Sequence, residues 1–246
     1  MLIDNNPRVV SEKATTYSFV GGQLITPLTK NRNYGGTFAI DNGAFSGFQK
    51  KGFLSLLDRN NTHRDKCLFV AMPDVIGSAR RTLEAFEFWS SRLSAWPIAL
   101  VAQDGVEDLP IPWSMLAAVF IGGSTEWKES KSAADVIRTA QLLGVHTHVG
   151  RVNTPDRWRR FSDIGCDTCD GSGVSRYDWM LERIAEVERC DKHLPLFEGD
   201  CGSSNPRDEA GVAVSSIDRR AIIVAAANRG CVVEDRKSTK GATPGS

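Results

Sequence analysis

Three aspartates, one glutamine and two glycine-rich turns stand where short apolar runs of this chain end. The runs are FAID (38–41), CLFVAMPD (67–74), IALVAQ (98–103), AVFIGG (118–123), HTHVG (146–150) and, more weakly, CDTCD (166–170). Their ends read Asp41, Asp74, Gln103, Gly122 with Gly123, Gly150 and Asp170. A carboxylate closing an apolar run is costly to bury unless it is paired or used. If the runs are the strands of one barrel, three carboxylates and one amide converge on its mouth. A planar heterocycle could hydrogen-bond to main-chain groups that glycine exposes. Gly43, Gly122 and Gly123 let the main chain approach a ligand closely. Phe45, four residues past Asp41, can supply a stacking face. The competing reading gives each aspartate the ordinary task of capping the helix that follows, and makes Phe45 a core aromatic.

The runs are short, apolar and free of internal charge, as strands buried on both faces are. Helical periodicity lies between them. Ser78–Trp96 carries Leu83, Phe86, Trp89 and Leu93 at steps of three and four. Ser132–Leu143 carries Ala133, Val136, Ile137 and Ala140 on one stripe and is closed by Gly144. Thr154 and Pro155 form a helix start, and Tyr177–Glu188 is a further helix. Alternation of this kind predicts a (β/α)₈ barrel of the TIM type, for which about 250 residues is the usual length. An open, flavodoxin-like sheet is the alternative, disfavoured because six or seven units exceed its usual five strands. One more strand is expected within Thr15–Leu24. The eighth is not located: it falls in the last quarter or the barrel is incomplete. Ser215–Asn228 reads as a final helix, residues 1–234 as one domain, and 235–246 as a disordered tail.

Composition bounds the function class. The chain has 246 residues, 41% hydrophobic and 24% charged, with 30 basic and 30 acidic residues and a net charge of zero. That excludes a uniformly basic coat for nucleic acid, though not a local basic face. Arg80 with Arg81, and Arg157, Arg159 and Arg160 around Trp158, read first as solvated helix faces and alternatively as phosphate contacts with Trp158 as a stacking platform. Trp127 and Lys128 follow a strand end, where they would wall a pocket and meet a phosphate. His148 alternates with Gly150 and reads as a structural histidine. No run approaches the roughly 20 apolar residues of a membrane span, and no export signal is visible. Six cysteines then read as reduced thiols in a cytoplasmic protein, with Cys166 and Cys169 as barrel packing.

The series DNGAF, PD, VAQDG, IGGS, HVGRVNTPDR and GCDTCDG resembles the tRNA-guanine transglycosylase superfamily over roughly residues 37 to 175. The wording DNGAFSGF and IGGSTEWK is closest to its DpdA-like branch, associated with 7-deazaguanine modification of DNA, often in phages. The resemblance implies a barrel that exchanges guanine in DNA for a 7-deazaguanine of the preQ₀ type through a covalent aspartyl-nucleotide intermediate. It implies Asp170 as nucleophile and Asp41 as general acid/base. It implies Phe45 stacking the base, Asp74 and Gln103 reading the guanine edge, Gly122 and Gly123 meeting its carbonyl, and Val149 covering the ring. A base within a duplex must be flipped out first. The tRNA enzymes also carry a structural zinc, and the corresponding region here offers Cys190, His193, Cys201 and Cys231 in a different pattern. The chemistry requires no cofactor, and zinc, if held, would be structural. The basic extension that grips tRNA is missing, so DNA is the expected partner and tRNA the lesser one. Alternatives left open are a barrel N-glycosidase or hydrolase and a non-catalytic barrel that binds modified nucleic acid.

Overall fold

The computed structural model describes residues 1–29 and 31–192. Eight strands run in chain order: β1 (Leu2–Ile3), β2 (Gly22–Ile25), β3 (Phe38–Ile40), β4 (Cys67–Ala71), β5 (Ile98–Ala102), β6 (Ala118–Ile121), β7 (His146–Val149) and β8 (Thr168–Cys169). Every neighbouring pair is parallel and the spatial order equals the chain order. A further parallel bridge joins Leu2 to Asp170, which brings the last strand back to the first. The fold is therefore a TIM-type (β/α)₈ barrel, and the open-sheet alternative is excluded.

The eighth strand is not in the last quarter. It is the first two residues after the initial methionine, too short to show a pattern. The strand expected in Thr15–Leu24 is displaced to Gly22–Ile25, because Thr15 and Thr16 end a helix opened by Asn6 and Pro7. The helices are α1 (Pro7–Thr16), α2 (Lys50–Arg59), α3 (Ala79–Ser90), α4 (Thr125–Lys128), α5 (Lys131–Leu142), α6 (Pro155–Ile164), α7 (Ser172–Arg176) and α8 (Asp178–Lys192). Their starts follow local chemistry. The side chains of Asn6, Ser78, Ser130 and Thr154 accept from Val9, Arg81, Ala133 and Arg157 N–H groups. Capping by Ser130 starts α5 before the expected Ser132. α3 stops at Ser90, and Leu93 and Trp96 remain buried in the turns beyond it. The connections β2 to β3 and β5 to β6 carry no α-helix among the described residues.

Alternation along the strands divides the core into two layers. Leu2, Leu24, Ala39, Phe69, Ala71, Ala99, Val101, Ala118 and Phe120 fill the barrel interior. Four alanines in that set leave room for two phenylalanines, which meet edge to face at 6.1 Å. The residues between them, including Ile25, Ile40, Val70, Leu100, Ile121 and Val149, face the helices. Val149 thus belongs to the helix layer, one step out of phase with the interior. The described residues lie in one compact unit, Met1–Pro195. The expected helix at Ser215–Asn228, the domain limit at 234 and the tail lie outside the described residues.

Candidate active site

The C-terminal ends of the strands enclose a cavity of about 390 Å³. Asp41, Phe45, Asp74, Gln103, Gly122 and Asp170 all line it, although they come from five strand ends and one turn. Phe45 is 69% exposed, so the reading as a core aromatic does not hold. Phe120 and Val101 form its floor. Gly122 is required by space, because a Cβ there would stand 2.6 Å from a Val101 methyl group. At Gly150 a Cβ would stand 2.6 Å from the Phe120 ring, so only glycine lets that floor pack beneath Asp170.

One side of the cavity is a fixed array of amides around a carboxylate. Asn42 Nδ2 donates to Asp74 Oδ1 at 2.9 Å and to the Met72 carbonyl at 2.7 Å. Gln103 Nε2 donates to Asp74 Oδ2 at 2.7 Å, and Gln103 Oε1 accepts from Gly77 N–H at 3.0 Å. These bonds set both amide orientations. The Asp74 N–H also bonds its own carboxylate, which leaves Asp74 some acceptor capacity for a ligand and Gln103 one further N–H. Burial raises the Asp74 carboxyl above its ordinary range, opposed by the Asn42 and Gln103 donors and by the charge of Arg151. Asp41 accepts from Gly43 N–H at 2.9 Å. Burial pushes its carboxyl up to about 6, with the nearby carboxylates of Asp170, Asp74 and Asp4 adding to the rise.

The other side is built from β7 and β8. His148 is fully buried inside the barrel and its Nε2 lies 3.1 Å from Asp170 Oδ1. Burial lowers the basicity of His148 and the Asp170 bond opposes that effect. Arg151 N–H donates to the same oxygen at 3.3 Å. Arg151 has φ 61°, the one non-glycine residue in the left-handed region among the described residues. That turn sends its guanidinium across the mouth. The guanidinium lies 4.6 Å from the Phe45 ring centre and donates to the carbonyls of Gly122 at 3.1 Å and Gly123 at 3.0 Å. Lys128 Nζ donates to the Gly150 carbonyl at 2.6 Å, and burial brings its ammonium down to about 8.

Several expected contributors stand elsewhere. Val149 does not line the cavity, since strand alternation turns it toward the helices. Gly123 stands behind the wall with its carbonyl held by Arg151. Lys128 is buried against main chain and Trp127 donates to Glu107, so neither forms the mouth. Arg157 is paired with Glu129 and Trp158 packs against Phe19, which removes that pair from a stacking platform. Cys166 and Cys169 are free thiols raised to about 12 and about 11, foremost by burial, in keeping with packing. The side chain of Cys190, and His193, Cys201 and Cys231, lie outside the described residues. Asn42, Arg151, Arg176, which also lines the cavity, and the bond from His148 to Asp170 were missed by sequence reasoning. Asn42 follows Asp41 directly and was open to the same strand-end argument. Nothing local marks Arg151, whose role follows from its backbone angle.

The fold and site define a (β/α)₈ barrel with a carboxylate-rich cavity at the strand C-termini, the end where barrel enzymes carry their chemistry. No family model matches the chain, and no curated protein does. Among solved structures it is similar to a Silicibacter pomeroyi protein described as a glycerophosphoryl diester phosphodiesterase, at 11% identity and TM-score 0.37. The match covers 74% of this chain and 56% of that one, so the chain spans little more than half the length of its structural neighbour. No helix among the described residues is long and apolar enough to cross a membrane.

Proposed function

We propose that this protein exchanges guanine in DNA for a 7-deazaguanine base, by the route that the resemblance to the tRNA-guanine transglycosylase superfamily implies. The observation that carries the reading is the convergence in one cavity of two carboxylates, an amide-buttressed third carboxylate and an exposed aromatic ring. Asp170 attacks C1′ of a flipped-out nucleotide, forming an ester as the bond to guanine N9 breaks. Charge develops on the sugar as in retaining glycosidases. Asp41 gives a proton to the departing purine and takes one from the incoming base. A carboxyl raised to about 6 serves both directions near neutral pH. The remaining acceptor capacity of Asp74 matches the N–H edge of guanine, and the remaining Gln103 N–H matches its carbonyl. Phe45 stacks the ring once Arg151 has moved off it. The three free thiols among the described residues suit a reducing cytoplasm.

The test is incubation with guanine-labelled DNA and a 7-deazaguanine of the preQ₀ type. Release of label with incorporation of the deazapurine supports exchange. Base loss without replacement would make the protein an N-glycosidase, and binding without turnover would make it a reader of modified DNA. The same assay on labelled tRNA decides between the two nucleic acids.

A further inference from the structure

The barrel interior contains a line of polar groups that the exchange chemistry does not use. Strand β7 turns both His146 and His148 inward, two residues apart, and Thr168 of β8 pairs in register with His148. Thr168 Oγ1 lies 2.8 Å from His146 Nε2 and 2.9 Å from His148 Nδ1. His148 Nε2 lies 3.1 Å from Asp170 Oδ1. Phe69 and Phe120 flank His148, with ring centres at 4.9 and 4.6 Å, and Phe69 also flanks His146. The line therefore runs through an apolar sleeve from partly exposed His146 to the cavity.

We propose that His146, Thr168 and His148 form a proton conduit through the barrel, which connects Asp170 with the face opposite the cavity. The hydroxyl has a single proton, and this fixes the order of donors. With Asp170 ionised, His146 Nε2–H donates to Thr168, Thr168 O–H donates to His148 Nδ1, and His148 Nε2–H donates to Asp170. With Asp170 protonated every bond reverses. Asp170 then donates to His148 Nε2, His148 Nδ1–H to Thr168, Thr168 to His146 Nε2, and His146 carries its proton on Nδ1. Both arrangements satisfy the bonds along the line, and they differ by one proton. Passage from the second to the first moves four protons one step each and delivers one to water at His146, with no change in oxidation state.

The device answers a difficulty of the cavity. Burial, with the charges of Asp170, Asp74 and Asp4 added, raises the Asp41 carboxyl to about 6 and so keeps a proton in the cavity. A nucleic acid lying over the mouth would close the direct path of that proton to water. The conduit offers an exit at the other end. The charged and titratable groups facing it are the Met1 amine near His148 and Cys169, Asp4, Asp41, Arg151, Lys128 and Arg176 around Asp170, and Asp167, whose Oδ2 is 4.0 Å from His146 Nδ1.

The inference rests on Asp170 as the nucleophile of the proposed exchange, and one arm of the test does not. In the full chain labelled with ¹⁵N-histidine, both histidines should be Nε2–H at neutral pH and switch together to Nδ1–H as the pH is lowered. Thr168→Val, close in shape and not touching Asp170, should abolish the joint switch, and Thr168→Ser should restore it. In exchange assays Thr168→Val should lower kcat by about tenfold, the worth of one lost hydrogen bond, with KM unchanged. Its pH profile should differ from the parent's, and Thr168→Ser should recover both. Histidines that switch separately in the parent protein overturn the conduit. So does a Thr168→Val enzyme with the parent's pH profile, or a loss equal at every pH and not rescued by serine. A parent protein whose histidines switch together but which exchanges no base overturns the proposed function instead.

Discussion

The two sides of the cavity are made on different principles. Around β3, β4 and β5 a carboxylate is held by neutral amides whose other atoms are tied to main chain. Asn42 and Gln103 both grip Asp74, and Gly77 and Met72 anchor the grips. Around β7 and β8 the Asp170 carboxylate faces an imidazole, a main-chain N–H in a left-handed turn, and nearby cations. The first arrangement resists change, since moving one amide leaves a buried polar group unpaired. The second consists of a titratable imidazole and a guanidinium held only by main-chain carbonyls and a ring face. Under the proposed function the division is recognition on a rigid side and reaction on a responsive one.

The division breaks first at Asp170. Asp170→Ala should cut exchange by about 10³-fold or more, the scale of losing a nucleophile, and abolish the covalent adduct on denaturing gels. Its thermal melt should remain cooperative. An active Asp170→Ala enzyme would move the reactive side elsewhere. Asp74→Ala should weaken binding of the free base by about 10- to 100-fold, as expected for losing hydrogen bonds to a charged group. Calorimetric titration should show oligonucleotide affinity nearly unchanged. Equal losses for base and oligonucleotide would show that the rigid side does not read the base.

Asp41 gives a test with a definite sign. Its carboxyl is raised to about 6 in the fold, above the ordinary 3.8. Between those values the folded protein holds a proton that the unfolded chain releases, so stability falls as pH rises through this window. Asp41→Asn keeps an oxygen for Gly43 N–H and cannot ionise. It should gain about 1–2 kcal/mol at pH 7, or a few degrees in Tm, and gain nothing near pH 4. Exchange activity should be lost. A variant no more stable at pH 7 than the parent would mean that the Asp41 charge is well solvated.

The smallest effect is expected at Arg151. Arg151→Gly relieves the left-handed backbone, which costs a non-glycine residue about 1 kcal/mol, and uncovers Phe45. Free-base affinity should rise by about three- to fivefold, less than the full value of that contact because guanine brings its own stacking. Weaker base binding would show that Arg151 holds the base and does not stand in its place.

Much of this was legible in the residues. Six of the eight strands were marked by apolar runs, because strands covered on both faces need unbroken hydrophobic sequence. The polar ends of those runs picked out Asp41, Asp74, Gln103, Gly122 and Asp170, since chemistry in a parallel barrel gathers where its strands end. Other features were not local. β1 has two residues and no pattern of its own, and pairing with β2 and the bridge from Leu2 to Asp170 make it a strand. Val149 looked like a ring cover because sequence order does not say which phase of the alternation faces inward. Lys128 looked like a phosphate ligand because its burial depends on how α4 sits behind the β7 turn. The chain by itself determined which residues end the strands and hence which chemistry is within reach. Only the closed barrel decided which of them meet, because bringing Asp41 within reach of Asp170 depends on joining strands more than a hundred residues apart.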